Sequence, residues 1–436
     1  MSADLRKRVV DLDKRHVWRP FTEMSHYRES VEPLVVVEAS GSRLIDADGR
    51  SYLDANSSWW TSALGHNHPR LVDALRRQSE QLCHAALAGI AHPRASELAE
   101  AMCGIAPGRL PHIFYSDNGS TSIEVAMKLA LQYWAQNGRP QRTAFVALEE
   151  AYHGDTIGVT ALGGVDVFRK PFAGVLLDCH HVPAPREPSR LQESLEKLEA
   201  VIASNADTIA GVVFESMVQG AAGMRIYEPD LLRAARELCN RHDIFLICDE
   251  VFVGYGRTGP MWACEHAGVE PDLLCTAKGF TGGLMPMAAT LASERIFEGF
   301  LGEPERAFYY GHTFCGNALG AAVALEVLRV FEDEQILARA KPKAERIAQA
   351  FREMETLDGV ESTRSIGMIG ALDLVGDAGY LADLGSRVFE AARTRGAYMR
   401  PLGNVVYVVP PLNISDDDLS ELLSIVRDSV ESVTAA

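Results

Sequence analysis

The chain has 436 residues, 42 Lys and Arg against 59 Asp and Glu, and a formal charge of −17 at pH 7. Its 47% hydrophobic and 23% charged content is that of a globular protein with a sizeable core, which excludes a disordered or fibrous chain. The acidic balance excludes nucleic acid as a principal partner, because phosphate backbones require clustered Lys and Arg.

The opening "MSADLRKRVVDLDKRH" is charged throughout and has no apolar stretch, so it does not read as a signal peptide. No apolar run approaches the roughly 18 residues of a spanning helix. Eight cysteines are scattered without a CxxC pair, and Cys248 and Cys275 sit in apolar strand-like runs. Buried free thiols in a reducing cytoplasm are the expectation.

Residues 30–56 read as a strand meander, with turn signals at Gly41 and at Asp48-Gly49. Beyond them, short β-rich runs alternate with helical patterns. "HIFYS" precedes the helical "TSIEVAMKLALQYWAQ"; "TAFVAL" and "IAGVVFE" (209–215) follow; and "PDLLRAARELCNRH" leads into "IFLICDE" (244–250) and "DLLCTA". Near-continuous apolar strands separated by helices predict a mainly parallel sheet covered on both faces. The last hundred residues mix helix with the strand "NVVYVVPPL". The expected organisation is α/β: a large domain over 57–334, and a smaller α+β domain built from 1–56 and 335–436.

Ligands collect outside the carboxyl ends of such strands. Found there are "SDNGSTS", "EEAYHGD", "ESMVQGAAG", Asp249-Glu250 and Lys278. Lys278 is the only charged residue between Asp272 and Glu294, so desolvation favours its neutral, nucleophilic form, able to condense with an aldehyde. The plain alternative is a lysine with a packed stem and a solvated head. Asp249 ends an apolar run, where a carboxylate needs a cation such as a pyridinium, unless it merely caps a turn. Gly119 and Ser120 open a helix whose N–H groups can hold a phosphate, although a simple N-cap uses the same residues. Tyr152 can lie on a conjugated ring or simply pack. "GYGRTG" (254–259) fits a dinucleotide loop, but Pro260 follows at once and "GPMWAC" is a poor start for the receiving helix. The histidines in "GHNHP" and "CHHVP" lack the spaced partners of a zinc site, and no metal is expected.

Taken together, "ICDEVFVGYGRTG" and "DLLCTAKGFTGG" resemble the signature of the class III pyridoxal phosphate aminotransferases, which have the fold type I architecture. "FYSDNGSTSIEVAMKLALQYW", "AYHGD" and "GHTFCGNALG" fall in that family's order, so the resemblance spans nearly the whole chain. It implies pyridoxal 5'-phosphate on Lys278, Asp249 at the ring nitrogen, and Gly119 and Ser120 at the phosphate. His312 and Thr313 would reach that phosphate from a partner subunit, which makes a two-fold homodimer a requirement. "HVWRPFTEM", "NSSWWTSALGHNHP" and "MRPLGNVVYVVPPL" are similar to a branch that aminates 8-amino-7-oxononanoate in biotin synthesis. There Phe21, Trp59, Trp60, Tyr152, Gly311 and Arg400 would line the substrate site. Arg400 would fork onto the terminal carboxylate, and the tryptophans would cover the methylenes. On the residues alone, core packing for the tryptophans and a surface ion pair for Arg400 are the favoured readings.

Three departures stand out. Phe21 replaces a tyrosine common in the branch, Ser216 replaces a proline, and His312 replaces the proline of many adenosylmethionine users. His312 is similar to a sub-branch in which lysine gives the amino group, so the donor is adenosylmethionine or lysine. Two enzyme alternatives stand beside this reading. One is a broad ω-amine or ω-amino acid:pyruvate transaminase. The other is an aminomutase or racemase on the same scaffold. A non-catalytic binding protein would leave the lysine, the aspartate and the phosphate loop without a use.

Overall fold

The apolar runs in the middle of the chain form a seven-stranded sheet. Its spatial order is His112–Ser116, Ala288–Ala292, Leu273–Thr276, Phe245–Asp249, Ile209–Glu215, Ala144–Leu148 and Cys179–Val182. Ala288–Ala292 runs antiparallel to both its neighbours; the other pairings within the sheet are parallel. The computed structural model describes residues 3–185, 187–376 and 384–435, so the outer limits 1 and 436 of the expected small domain fall outside it.

Five of these strands are buried along their whole length, which is why their sequences are apolar without alternation. The helix Gly119–Gln136 covers one face. It starts at Asn118, whose side chain accepts the Thr121 N–H at 3.0 Å in a reciprocal capping box. Pro69–Ser79, Pro93–Gly104 and Ala318–Asp333 pack together elsewhere in the core.

The meander is Val36–Ser40, Arg43–Asp46 and Ser51–Asp54, and its last strand pairs in parallel with Ala397–Tyr398 near the other end of the chain. A third sheet joins Val360–Ile366, Ile369–Leu374 and Val405–Val408. Arg43 links the meander to the last helix, Asp416–Thr434, through Asp418 at 2.7 Å. "GYGRTG" is a run of turns, with Tyr255, Gly256 and Gly259 at positive φ, and only the short 3-10 segment Ala263–Ala267 follows. All eight cysteines are free thiols. Cys239, Cys248, Cys264 and Cys275 are buried, Cys103, Cys179 and Cys315 are half-buried, and Cys83 is exposed. Among the described residues, no helix is long and apolar enough to cross a membrane.

Candidate active site

Five parallel strands end around one cavity of about 250 Å³, lined by Gly119, Ser120, Tyr152, His153, Glu215, Asp249 and Lys278 among others. A hollow of about 220 Å³ beside Arg6, Asp48 and Arg393 lies away from the strand ends and contains no lysine.

Lys278 follows the strand Leu273–Thr276 in a left-handed conformation (φ +48°) that turns its side chain into the cavity. Its ammonium lies 4.4 Å from the Trp60 ring centre and 5.6 Å from that of Phe252. Desolvation brings its pKa down to about 8 against the opposing pull of Asp249 and Glu215, so a useful fraction of free amine exists near neutrality.

Asp249 is the last residue of its strand and is buried. Its Oδ1 accepts the Val251 N–H at 2.9 Å, and its Oδ2 lies 2.7 Å from His153 Nδ1. Burial alone would push the His153 imidazole down; the hydrogen bond and charge of Asp249, with Glu215, hold it above its usual value. His153 Nε2 is buried and has no hydrogen-bond partner among the described residues. The Glu215 carboxyl accepts backbone N–H bonds from Tyr152 (3.2 Å) and Gly220 (2.9 Å), and burial pushes it up to about 7.

Opposite lies a tight backbone cradle. A Cβ on Gly119 would stand 2.7 Å from Val251 Cγ1, and one on Gly154 (φ +132°) 1.9 Å from Ser120 Oγ. Ser120 Oγ accepts the Asp155 N–H at 2.9 Å, and Tyr152 donates its hydroxyl to Asp155 at 2.6 Å. A lysine of lowered pKa, a braced carboxylate and a glycine cradle at a helix N-terminus fit pyridoxal 5'-phosphate in amine, ring nitrogen and phosphate respectively.

At the mouth, Phe21 packs edge-on against Trp59 (5.5 Å) and Phe168 (5.3 Å), and Phe168 packs against Tyr152 (5.8 Å). The Arg400 guanidinium stacks 3.7 Å over Trp59 and forms no ion pair among the described residues. Trp60 is buried and forms the floor beneath Lys278.

The chain thus brings Lys278, Asp249, Tyr152, Gly119, Ser120 and Trp60 to one cavity, with Phe21, Trp59 and Arg400 at its rim. Gly311, His312 and Thr313 are not among the residues lining it. They sit in a loop before Ala318–Asp333, with Gly311 and Thr313 exposed. Sequence reasoning passed over three residues. His153 in "EEAYHGD" and Glu215 in "IAGVVFE" carry no role in the sequence reading, although His153 follows one sheet strand and Glu215 ends another; Phe168 gives no signal at all.

A family model described as aminotransferase class-III matches residues 25–430. The chain is 41% identical to the adenosylmethionine-8-amino-7-oxononanoate aminotransferase of Geobacter sulfurreducens, covering 97% of both chains. It is 42% identical to the protein of that name from Nitratidesulfovibrio vulgaris, over 99% of this chain and 83% of the relative. Among solved structures it is similar to the adenosylmethionine-8-amino-7-oxononanoate aminotransferase of Methanocaldococcus jannaschii, with a TM-score of 0.94, 34% identity, and 98% and 99% of the two chains covered. An omega transaminase of Pseudomonas jessenii in complex with PMP overlays with a TM-score of 0.92 at 26% identity, covering 98% of each chain.

Proposed function

The chain belongs to the class-III aminotransferases, and from that premise we propose that it aminates 8-amino-7-oxononanoate to 7,8-diaminononanoate, with adenosylmethionine as amino donor. It is a pyridoxal 5'-phosphate-dependent transaminase of fold type I. When bound, the cofactor supplies an electrophilic aldehyde and a ring that accepts the electrons of a deprotonated substrate carbon.

In this reading Lys278 holds the cofactor and, once released, carries a proton on Nζ to and from the substrate carbon, a task its lowered pKa suits. Asp249, braced by His153, holds the ring nitrogen and its proton. Gly119 and Ser120 hold the phosphate through backbone N–H groups, and Tyr152 lies against the ring. Trp60 and Phe252 keep water from the amine. We assign Gly311, His312 and Thr313 to the neighbouring subunit's site in a homodimer, since their own chain leaves them outside its cavity. The division into 57–334 and a unit of 1–56 with 335–436 belongs to the same proposal.

One observation carries the choice of acceptor. Arg400 stacks on Trp59 at the rim with no acid paired to it among the described residues, a guanidinium able to fork onto a carboxylate at the far end of an apolar chain. Arg400→Ala is expected to raise KM for the amino keto acid by about a hundredfold while changing the donor half-reaction less than about threefold. Equal effects on both halves, or pyruvate serving as an efficient acceptor, would overturn the assignment. The donor is read from the half-reaction itself: adenosylmethionine should bleach the holoenzyme's visible band, and bleaching by lysine alone would reassign it.

A further inference from the structure

The two tryptophans at the site sit on an unusual piece of backbone. Ser57, Ser58, Trp59 and Trp60 have φ of 46°, 46°, 65° and 74°, four consecutive side-chain-bearing residues in the left-handed region. The turn is closed by the Trp60 N–H to the Asn56 carbonyl at 2.7 Å and the Thr61 N–H to the Ser57 carbonyl at 2.9 Å. Such a conformation persists only where its surroundings over-determine it.

The surroundings converge on Asp54, whose side chain is fully buried. Its Oδ1 accepts the Asn56 N–H at 3.2 Å. Its Oδ2 accepts the Ser58 N–H at 2.7 Å, the Ser58 hydroxyl at 3.0 Å and His66 Nε2 at 2.8 Å. His66 is in turn fixed by paired backbone bonds with Gly41 at the meander turn, at 2.7 and 3.0 Å. On the other side, Asn56 Oδ1 accepts the Arg400 N–H at 2.6 Å, and Ser57 donates its hydroxyl to the Val409 carbonyl at 2.7 Å.

What this strained turn achieves is a spacing. Trp60 lies beneath the Lys278 amine and Trp59 beneath the Arg400 guanidinium, so neighbouring residues seat the cation inside the cavity and the cation at its rim. A relaxed, right-handed turn would rotate both rings away from those cations. We propose that Asp54, fixed by His66, is a positioning residue that makes Ser57–Trp60 a ruler for acceptor chain length. The inference rests on the reading that Arg400 receives the acceptor's carboxylate.

The test uses holoenzyme and saturated carboxylates that carry neither amine nor ketone. Nonanoate and butanoate binding are measured by calorimetry on wild type, Asp54→Ala, His66→Ala, His66→Gln and Arg400→Ala. Loss of the Asp54–His66 contact is expected to weaken nonanoate about tenfold and butanoate less than about twofold. His66→Gln, whose amide can still donate to Asp54, is expected to recover most of the nonanoate affinity. Unchanged nonanoate affinity in Asp54→Ala and His66→Ala, or equal weakening of both chain lengths, overturns the ruler. Should Asp54→Ala fail to fold, His66→Ala decides alone. If Arg400→Ala weakens nonanoate and the Asp54 and His66 variants do not, only the ruler falls. If Arg400→Ala also has no effect, the carboxylate assignment falls and the ruler with it.

Discussion

Glu215 is an acid whose titration the fold has moved to about 7, because burial, helped by the nearby Asp249 charge, outweighs the His153 side and two backbone N–H groups. Its folded pKa lies above the unfolded value of 4.5, so the native state binds the extra proton between those limits. The associated stability is complete below about 4.5 and is lost as pH rises through about 7. Glu215→Gln is therefore expected to flatten that decline, narrowing its deficit or gaining on wild type by about 1–3 kcal/mol between pH 5 and 8 in thermal melts. A parallel pH dependence in both proteins would assign the slope elsewhere. Single residues were legible in the sequence where their own neighbours spoke for them: Lys278 in a charge-free stretch and Asp249 at the end of an apolar run. His153 was not legible, since its meaning lies in a carboxylate 96 residues away, and Glu215 needs a loop 63 residues away. Pairings of that range belong to the sheet order, which no local pattern encodes.

At the scale of elements, four of the five strands buried along their whole length were readable as apolar runs. Two strands of the same sheet were not. Ala288–Ala292 is short and alanine-rich, and Cys179–Val182 is an edge strand carrying two polar histidines. The left-handed Ser57–Trp60 turn was equally hidden, because serine and tryptophan do not favour that region. At about 1–2 kcal/mol per residue it is maintained only by tertiary contacts. Gly154 shows the reverse situation, an element junction where only glycine fits. Gly154→Ala would drive a methyl into Ser120 at the start of Gly119–Gln136. It is expected to weaken cofactor binding by about tenfold or more and to lower stability by about 2–4 kcal/mol, measured by cofactor titration of the apoprotein and by urea melts. Wild-type cofactor affinity in this variant would remove the junction from the proposed phosphate cradle.

At the scale of the whole molecule, the loop bearing Gly311, His312 and Thr313 carries its apolar side chains outward: Phe314 is 60% and Tyr309 79% exposed. The His84 ring meets that of Phe314 in a tilted contact at 5.0 Å, and Leu87 lies against Gly316. A single chain leaves this apolar surface uncovered, as expected of one half of the proposed homodimer. Phe314→Asp is expected to shift sedimentation toward the monomer and to reduce cofactor retention together, since in the proposed dimer the loop would offer Thr313 to the neighbouring site. A monomeric variant that keeps its cofactor would separate assembly from the site. The distribution of cysteines has a consequence of another kind. Four thiols lie buried in or beside the central sheet and its covering helices, while Cys83 alone is exposed in the single chain. An alkylating reagent therefore reaches the sheet thiols only when the layers part. Their modification rate is an intrinsic clock for how often this core opens.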